Sequence, residues 1–167
     1  GAFYVGGPQG GGNQNLYTIS SSSSLNTVGS IGTSLVNGIA YYCQNNNSPF
    51  IYAMKMKGTS QITAVQADLV RIDPASAQLT VLGTIPQPPN PYGPAGITGI
   101  MAYIGDASTS GIYYFPAVAT IINPATFQII DYTIYMGAID LNNHGNGANV
   151  TYTPISVLAT CKPYMDA

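Results

Sequence analysis

The sequence predicts an all-β fold arranged as a propeller-like array, and three observations support this prediction. Short runs rich in β-branched and aromatic residues alternate between apolar and polar positions, which is the period of a β-strand. No segment shows the period of an amphipathic helix. A pattern of strands and turns recurs at an interval of roughly 50 residues, which is typical of propeller blades.

The repeat is clearest when two segments are aligned. NLYTISSSSSLNTVGSIG begins at Asn15, and DLVRIDPASAQLTVLGTIP begins at Asp68. Apolar positions coincide along the alignment, and Gly29 of the first segment corresponds to Gly83 of the second. A shorter third copy, NPATFQI from Asn123, corresponds to DPASAQL in the second. Three segments that agree at one spacing predict three successive copies of one structural unit.

Each copy is predicted to form a hairpin around a turn. In the second and third copies the turn begins Asp73-Pro74-Ala75 and Asn123-Pro124-Ala125. The Asp or Asn side chain accepts a hydrogen bond from the main chain two residues on, and proline fixes φ at the next position. The polar serine run at residues 20–24 takes the place of this turn in the first copy.

Further strands are predicted before the hairpins, at residues 2–6, 36–42, 50–56, 97–104 and 111–115. A complete unit then has four antiparallel strands, and the propeller-like domain covers residues 1–141 with units at 1–35, 36–96 and 97–141.

Closed propellers have about four to eight blades, so three units leave sheet edges to be covered. Three solutions are open: the chain continues, residues 138–141 pair beside residues 2–6, or partner subunits cap the edges.

The motif LVRIDPASAQLTVLGTI at residues 69–85 carries a resemblance, and NLYTI…LNTVGSIG and GIYYF…IINPATFQII match it more loosely. The pattern resembles the propeller-type repeats of secreted bacterial surface proteins, and the resemblance covers about residues 2–136. It implies a propeller fold and a location outside the cell, and it implies no catalytic residues.

Charged side chains make up 6% of the chain, against about 25% in a typical soluble domain. Four Lys and Arg residues cannot neutralise a row of phosphates, so nucleic-acid binding is not expected. No apolar run reaches the roughly 18 residues of a membrane-spanning helix. A net charge of −2 gives little repulsion between copies, so the composition favours self-association.

The two cysteines and two sequons fit a secreted protein. Cys43 and Cys161 form no metal-binding spacing; they are either a disulfide that closes a long loop or two buried thiols. Asn46 and Asn149 each begin an Asn-X-Ser/Thr sequon in or beside a polar loop. Glycans at these positions would help a weakly charged surface to stay soluble.

The C-terminal part is expected to be a strand on a linker. Residues 142–149 (NNHGNGAN) have the composition of a Gly/Asn linker, and residues 150–167 follow as a strand and tail. This strand either folds back onto its own domain or is donated to the sheet of a neighbour. The candidate assembly residues are Val150, Tyr152, Ile155, Val157 and Leu158.

The sequence offers no catalytic, metal or cofactor site. There is no Glu and no nucleophile motif, and His144 lies in the linker, where a solvated side chain is expected. Asp106 and Asp140 lie in polar turns, but isolated aspartates rarely suffice for calcium. An enzyme is therefore not expected.

Five tyrosines leave a second function open. A stacking platform for sugars and half-buried strand positions are both compatible with Tyr41, Tyr42, Tyr92, Tyr113 and Tyr114. The sequence as a whole favours a structural subunit of an extracellular or cell-surface assembly, a fibre that grows by sheet-edge or tail-strand addition. The alternative is a surface adhesin or carbohydrate-binding propeller module.

Overall fold

The computed structural model describes residues 2–6, 13–32, 36–42, 50–57, 66–101, 106–107 and 111–155. Within these ranges the chain forms twelve strands and two short 3₁₀ turns, Gly93–Ala95 and Gly145–Gly147. The strands are β1 (Ala2–Gly6), β2 (Gln14–Ile19), β3 (Leu25–Gly32), β4 (Val36–Tyr42), β5 (Phe50–Lys57), β6 (Gln66–Ile72), β7 (Leu79–Thr84), β8 (Gly96–Ile100), β9 (Asp106–Ala107), β10 (Ile112–Ile122), β11 (Ile129–Asp140) and β12 (Val150–Ile155). The all-β prediction is confirmed.

The strands form three antiparallel sheets that follow one another along the chain. The first sheet has the order β1-β2-β3, and the second has the order β4-β5-β6-β7. The third has the order β12-β11-β10-β8, with β9 also paired to β10. Consecutive strands are mostly neighbours in space, as short hairpin connections require.

The second sheet is the central layer, and both of its faces are buried. On β5, Tyr52 and Met54 belong to the core shared with the third sheet, whereas Ile51 and Ala53 belong to the core shared with the first. Side chains of a strand alternate between the two faces of its sheet, so an unbroken apolar run buries both faces at once.

The first and third sheets each bury one face against the central layer. Leu16 and Ile31 contribute from the first sheet. Tyr113, Phe115 and Ala117 contribute from the third, where they occupy alternate positions of β10. The two cores together place the second sheet between the other two.

The turns predicted from the repeat are confirmed. Asp73 Oδ1 accepts a hydrogen bond from the Ala75 N–H at 2.7 Å, and Asn123 Oδ1 accepts one from the Ala125 N–H at 2.9 Å. The main-chain bonds that close the two turns are also equivalent. In both, the fifth residue has a left-handed backbone, with φ of 58° at Ala77 and 57° at Phe127.

The third unit differs from the predicted four-stranded meander. Residues 111–115 were expected to end a strand before the hairpin strand, but β10 runs without interruption from Ile112 to Ile122. Pro116 is tolerated because it lies between the ends of β8 and β9: Ala117 pairs with Ile100, and Tyr114 pairs with Asp106. Proline therefore removes no bond of the ladder at this position.

Of the three solutions left open for the sheet edges, the pairing of residues 138–141 beside residues 2–6 does not occur. Ala138 pairs with Tyr114 on one side and with Thr151 on the other, so neither edge of β11 is open at this end. The strand β1 pairs with β2 in the first sheet.

The segment 142–149 is a compact turn docked on the second sheet. The 3₁₀ turn Gly145–Gly147 contacts β7 so closely that a Cβ on Gly83 would lie 1.5 Å from the carbonyl oxygen of Asn146. Composition alone indicated a linker. The left-handed backbone at Gly145, Asn146 and Gly147 allows the close approach.

Candidate functional site

The C-terminal strand β12 pairs antiparallel with β11 of its own sheet. The register joins Val150 to Ile139 and Ile155 to Ile134. Of the predicted assembly residues, Val150, Tyr152 and Ile155 therefore lie in a strand that has folded back. Val157 and Leu158 lie outside the described residues, as do Cys43, Cys161 and the sequon residue Asn46.

Tyr152 anchors this strand on the inner face of the third sheet. Its ring meets Phe115 edge to face at 5.9 Å and meets Tyr135 in the same manner at 6.2 Å. Its hydroxyl donates to the carbonyl oxygen of Pro86 at 2.7 Å. Burial raises the pKa of Tyr152 above its ordinary value. Aromatic pairs of this geometry stabilise beyond the area that they bury, so removing β12 from its sheet carries a free-energy penalty.

The hairpin of β10 and β11 extends beyond both neighbouring strands. Pairing with β12 starts at Ile134, so residues 129–133 of β11 have no strand partner on that side within the described part of the chain. On the other side, β8 reaches only to Ile121. Among the described residues, residues 129–133 therefore lie at an edge of the third sheet, and the pair of Ile122 and Ile129 extends beyond both neighbouring strands.

The tip carries the most exposed large apolar side chains among the described residues of the third sheet. Phe127 is 67% exposed, Ile129 is 52% exposed and Ile130 is 62% exposed. The segment from Ile122 to Ile130 contains no charged residue. We name residues 122–133 the hairpin tip.

Phe127 is exposed although its counterpart in the second unit is buried. Ala77 occupies the same turn position and is 1% exposed, because it packs on Gly29 of the first sheet. The position that corresponds to Gly29 in the second sheet is Gly83, and the 3₁₀ turn with Asn146 covers it. The third turn therefore has no equivalent surface on which to dock.

The hairpin tip was not identified from the sequence as a site. A signal for it is present in the repeat, since the small buried residue of one turn is replaced by a large apolar residue in the next. The replacement predicts an exposed Phe127 only once it is known that the turn at Asn146 covers Gly83.

The sequon residue Asn149 is exposed at the start of β12. Its Nδ2 donates one hydrogen bond to the carbonyl oxygen of Asn143 at 2.8 Å. An amide nitrogen carries two hydrogens, so a glycan that replaced one of them would leave the other for this bond.

His144 is not the fully solvated residue that was expected. It is half-buried, and its Nδ1 atom is buried without a hydrogen-bond partner among the described residues. Asp140 accepts a hydrogen bond from the Asn142 N–H at 2.8 Å, as in a turn. The main chain of Asp106 pairs with Tyr114. In the described ranges, no three His, Cys, Asp or Glu residues lie close enough together to hold a metal ion.

One ion pair connects strands of the central sheet. Lys57 Nζ lies 2.6 Å from Oδ1 of the buried Asp68, and both groups bond to the hydroxyl of Thr84. The three residues lie side by side on β5, β6 and β7, so the cluster satisfies a buried carboxylate within the sheet and is structural.

The five tyrosines differ in their burial. Tyr113 is fully buried, and burial raises the pKa of its hydroxyl. Tyr42 and Tyr92 are half-buried, with their hydroxyls bonded to Asn142 and Thr133. Tyr41 and Tyr114 are exposed, but they lie on strands of different sheets.

No protein-family model, no curated protein and no solved structure matches this chain. Among the described residues, none of the helical segments has the length and hydropathy needed to cross a membrane.

Proposed function

We propose that the protein is a structural subunit of an extracellular or cell-surface assembly, a fibre, and that copies associate through the hairpin tip. The observation that carries this proposal is the edge at residues 129–133, which has no strand partner on one side among the described residues and lies beside the exposed side chains of Phe127, Ile129 and Ile130.

An open strand edge presents unpaired main-chain N–H and C=O groups, which template pairing with another chain. Natural proteins usually protect such edges with charged residues. The edge at residues 129–133 carries a single charged residue, Asp131, whose Oδ1 accepts a hydrogen bond from the Tyr132 N–H at 2.8 Å, and the segment from Ile122 to Ile130 has none. A scarcity of charge across the whole surface gives little repulsion between copies. These properties suit an edge that receives a strand.

The added strand would come from a neighbouring copy. The tail beyond Ile155 includes the apolar residues Val157 and Leu158, which makes it a suitable donor. Because the first part of the tail is held in its own sheet by Tyr152, only the part after β12 needs to reach the neighbour. Head-to-tail addition of this kind does not have to close, and it then builds a filament.

The arrangement of the sheets as propeller-like blades belongs to the same proposal. It is supported by the central sheet, which packs through both faces as an inner blade does. The location outside the cell is supported by the low charge, the sequons and the resemblance of the repeat. A carbohydrate-binding module is less well supported, because Tyr113 is buried and Tyr42 and Tyr92 are half-buried, which leaves Tyr41 and Tyr114 as the exposed tyrosines of this group.

The test compares charged substitutions at two exposed apolar positions. Ile130→Lys places a charge on the hairpin tip, and Val81→Lys, at a position 47% exposed on β7, is the matched control. We expect the wild-type chain and the control to assemble over the same concentration range in light scattering. Ile130→Lys should raise the midpoint concentration at least tenfold, which corresponds to about 1.4 kcal/mol.

Two results would contradict the proposal. One is a wild-type chain that stays monomeric up to millimolar concentration. The other is an Ile130→Lys variant that assembles over the same range as both the wild-type chain and the control.

A further inference from the structure

The third sheet is apolar on both faces, although the described chain covers only one. Its inner face carries Phe115 and Ala117 and is buried against the central sheet. The outer face of β10 carries Tyr114, Pro116 and Val118 at the intervening positions. An antiparallel sheet with one solvated face normally shows polar residues there. The third sheet instead has the pattern of the central sheet, which is buried on both sides.

The neighbouring strands extend the same outer face. The register places Met136 opposite Pro116, places Ile134 opposite Val118, and places Ile155 opposite Ile134. Tyr114 is 40% exposed, Met136 is 37% exposed and Ile155 is 41% exposed. These side chains form a contiguous apolar surface without a charged residue at its centre, and such a surface marks an interaction site.

Among the described residues, the first sheet has a corresponding uncovered face at the other end of the stack. Leu16 points inward, so Tyr17 and Ile19, which lie on the opposite side of β2, both face outward. Ile19 is 38% exposed and pairs with Leu25, which is 56% exposed. This outer face is apolar at the end of the sheet and is also without a charged side chain among its described residues.

We propose that the outer face of the third sheet in one copy packs on the outer face of the first sheet in the next copy. The partner is a second copy of this chain because the contact continues the packing already present within it. The inference rests on the proposed self-assembly, but it assigns a contact separate from the hairpin tip.

The order of the sheets favours this pairing over contact between two third sheets. Within the chain, the second sheet packs one face on the first sheet and the opposite face on the third. Among the described residues, no sheet follows the third sheet and none precedes the first. Joining these two faces repeats the internal order. The resulting contact is heterologous, so it forms a ring if the rotation closes and a filament otherwise.

A mixing experiment tests this pairing. All chains carry Ile130→Lys, so that association through the hairpin tip is weakened and contact through the faces is isolated. One variant adds Met136→Lys on the third sheet, and the other adds Ile19→Lys on the first. In sedimentation velocity, the parent chain should form particles of two or more copies, and each double variant alone should be monomeric.

An equimolar mixture of the double variants should form particles of two copies. The intact third sheet of the Ile19→Lys chain still fits the intact first sheet of the Met136→Lys chain. A second pair, Tyr114→Lys with Leu25→Lys, should behave in the same way. Unfolding midpoints in urea that match the parent chain show that each variant is folded.

Three outcomes would overturn the inference. The first is a mixture that stays monomeric, and the second is an Ile19→Lys chain that still pairs by itself, since that result indicates contact between two third sheets. The third is an Ile130→Lys parent that is monomeric while the wild-type chain assembles; this leaves the proposed function intact and removes only the contact through the faces. A monomeric wild-type chain would overturn both.

Discussion

Gly83 and Asn146 are in main-chain contact: a Cβ built on Gly83 would lie 1.5 Å from the Asn146 carbonyl oxygen. Gly83→Ala must therefore displace the turn at residues 142–149, and we expect a loss of about 3 kcal/mol or more in the free energy of unfolding. Urea unfolding of the two chains measures this loss.

Gly29→Ala is the matched control, because Gly29 holds the corresponding position in the first copy of the repeat. Its added Cβ would lie 3.1 Å from the Ala77 side chain, which requires a shift of only a few tenths of an ångström. The loss should be about 1 kcal/mol. Equal losses for the two substitutions would show that the turn at Asn146 does not dock on β7.

Tyr152 is predicted to hold the C-terminal strand in its sheet. Tyr152→Ala removes contacts with Phe115 and Tyr135 and should lower the free energy of unfolding by about 2–3 kcal/mol. Tyr152→Phe loses only the hydrogen bond to Pro86 and should cost about 1 kcal/mol. Thr153→Ala, on the opposite face of β12, is the control and should stay within about 0.5 kcal/mol of the wild-type chain. A Tyr152→Ala chain as stable as the control would contradict the fold-back of β12.

The burial of Tyr113 and Tyr152 predicts that the folded state loses stability at alkaline pH. Burial raises the folded-state pKa of Tyr113 and Tyr152 above the ordinary value of 10.0. The folded state therefore holds these protons more tightly than the unfolded state. Their contribution to stability is complete below about pH 10, and it is lost as the pH rises through the raised pKa.

We expect the free energy of unfolding to be insensitive to these groups up to about pH 10 and to fall above it. Tyrosinate absorbance should then increase together with the loss of the circular dichroism of the strands. Tyr152→Phe, which has no hydroxyl to ionise, should show a shallower decline above pH 10. A decline equally steep in this variant would indicate that Tyr152 titrates as an exposed tyrosine.

Local chemistry made part of the fold predictable. The turns at Asp73 and Asn123 follow from an Asx side chain and a proline within three residues, so their hydrogen bonds appear as expected. The exposure of Phe127 was not predictable in the same way, because it depends on what covers Gly83 in a different sheet.

The error in the third unit lies next to a proline. The predicted strand ended at residue 115, immediately before Pro116, and proline is rare in central strands. Its carbonyl oxygen accepts a bond from Met101, just beyond the end of β8, so the absent N–H faces the gap between β8 and β9. The residue pattern within one strand does not indicate where the strands beside it end.

The composition of residues 142–149 did not predict that this segment docks on the second sheet. Glycine and asparagine are frequent in linkers, and they are also the residues that tolerate a left-handed backbone and close contact. Gly145, Asn146 and Gly147 use both properties to dock on the second sheet. The proposed hairpin tip depends on this docking, because the turn occupies the surface that Phe127 would otherwise need.

Electron microscopy of the wild-type chain of residues 1–167 over a range of concentrations is the decisive test of self-assembly. We predict particles that contain many copies, as filaments or closed rings, and that dissociate on dilution. Particles of a single copy at every concentration, with the C-terminal tail intact, would contradict it.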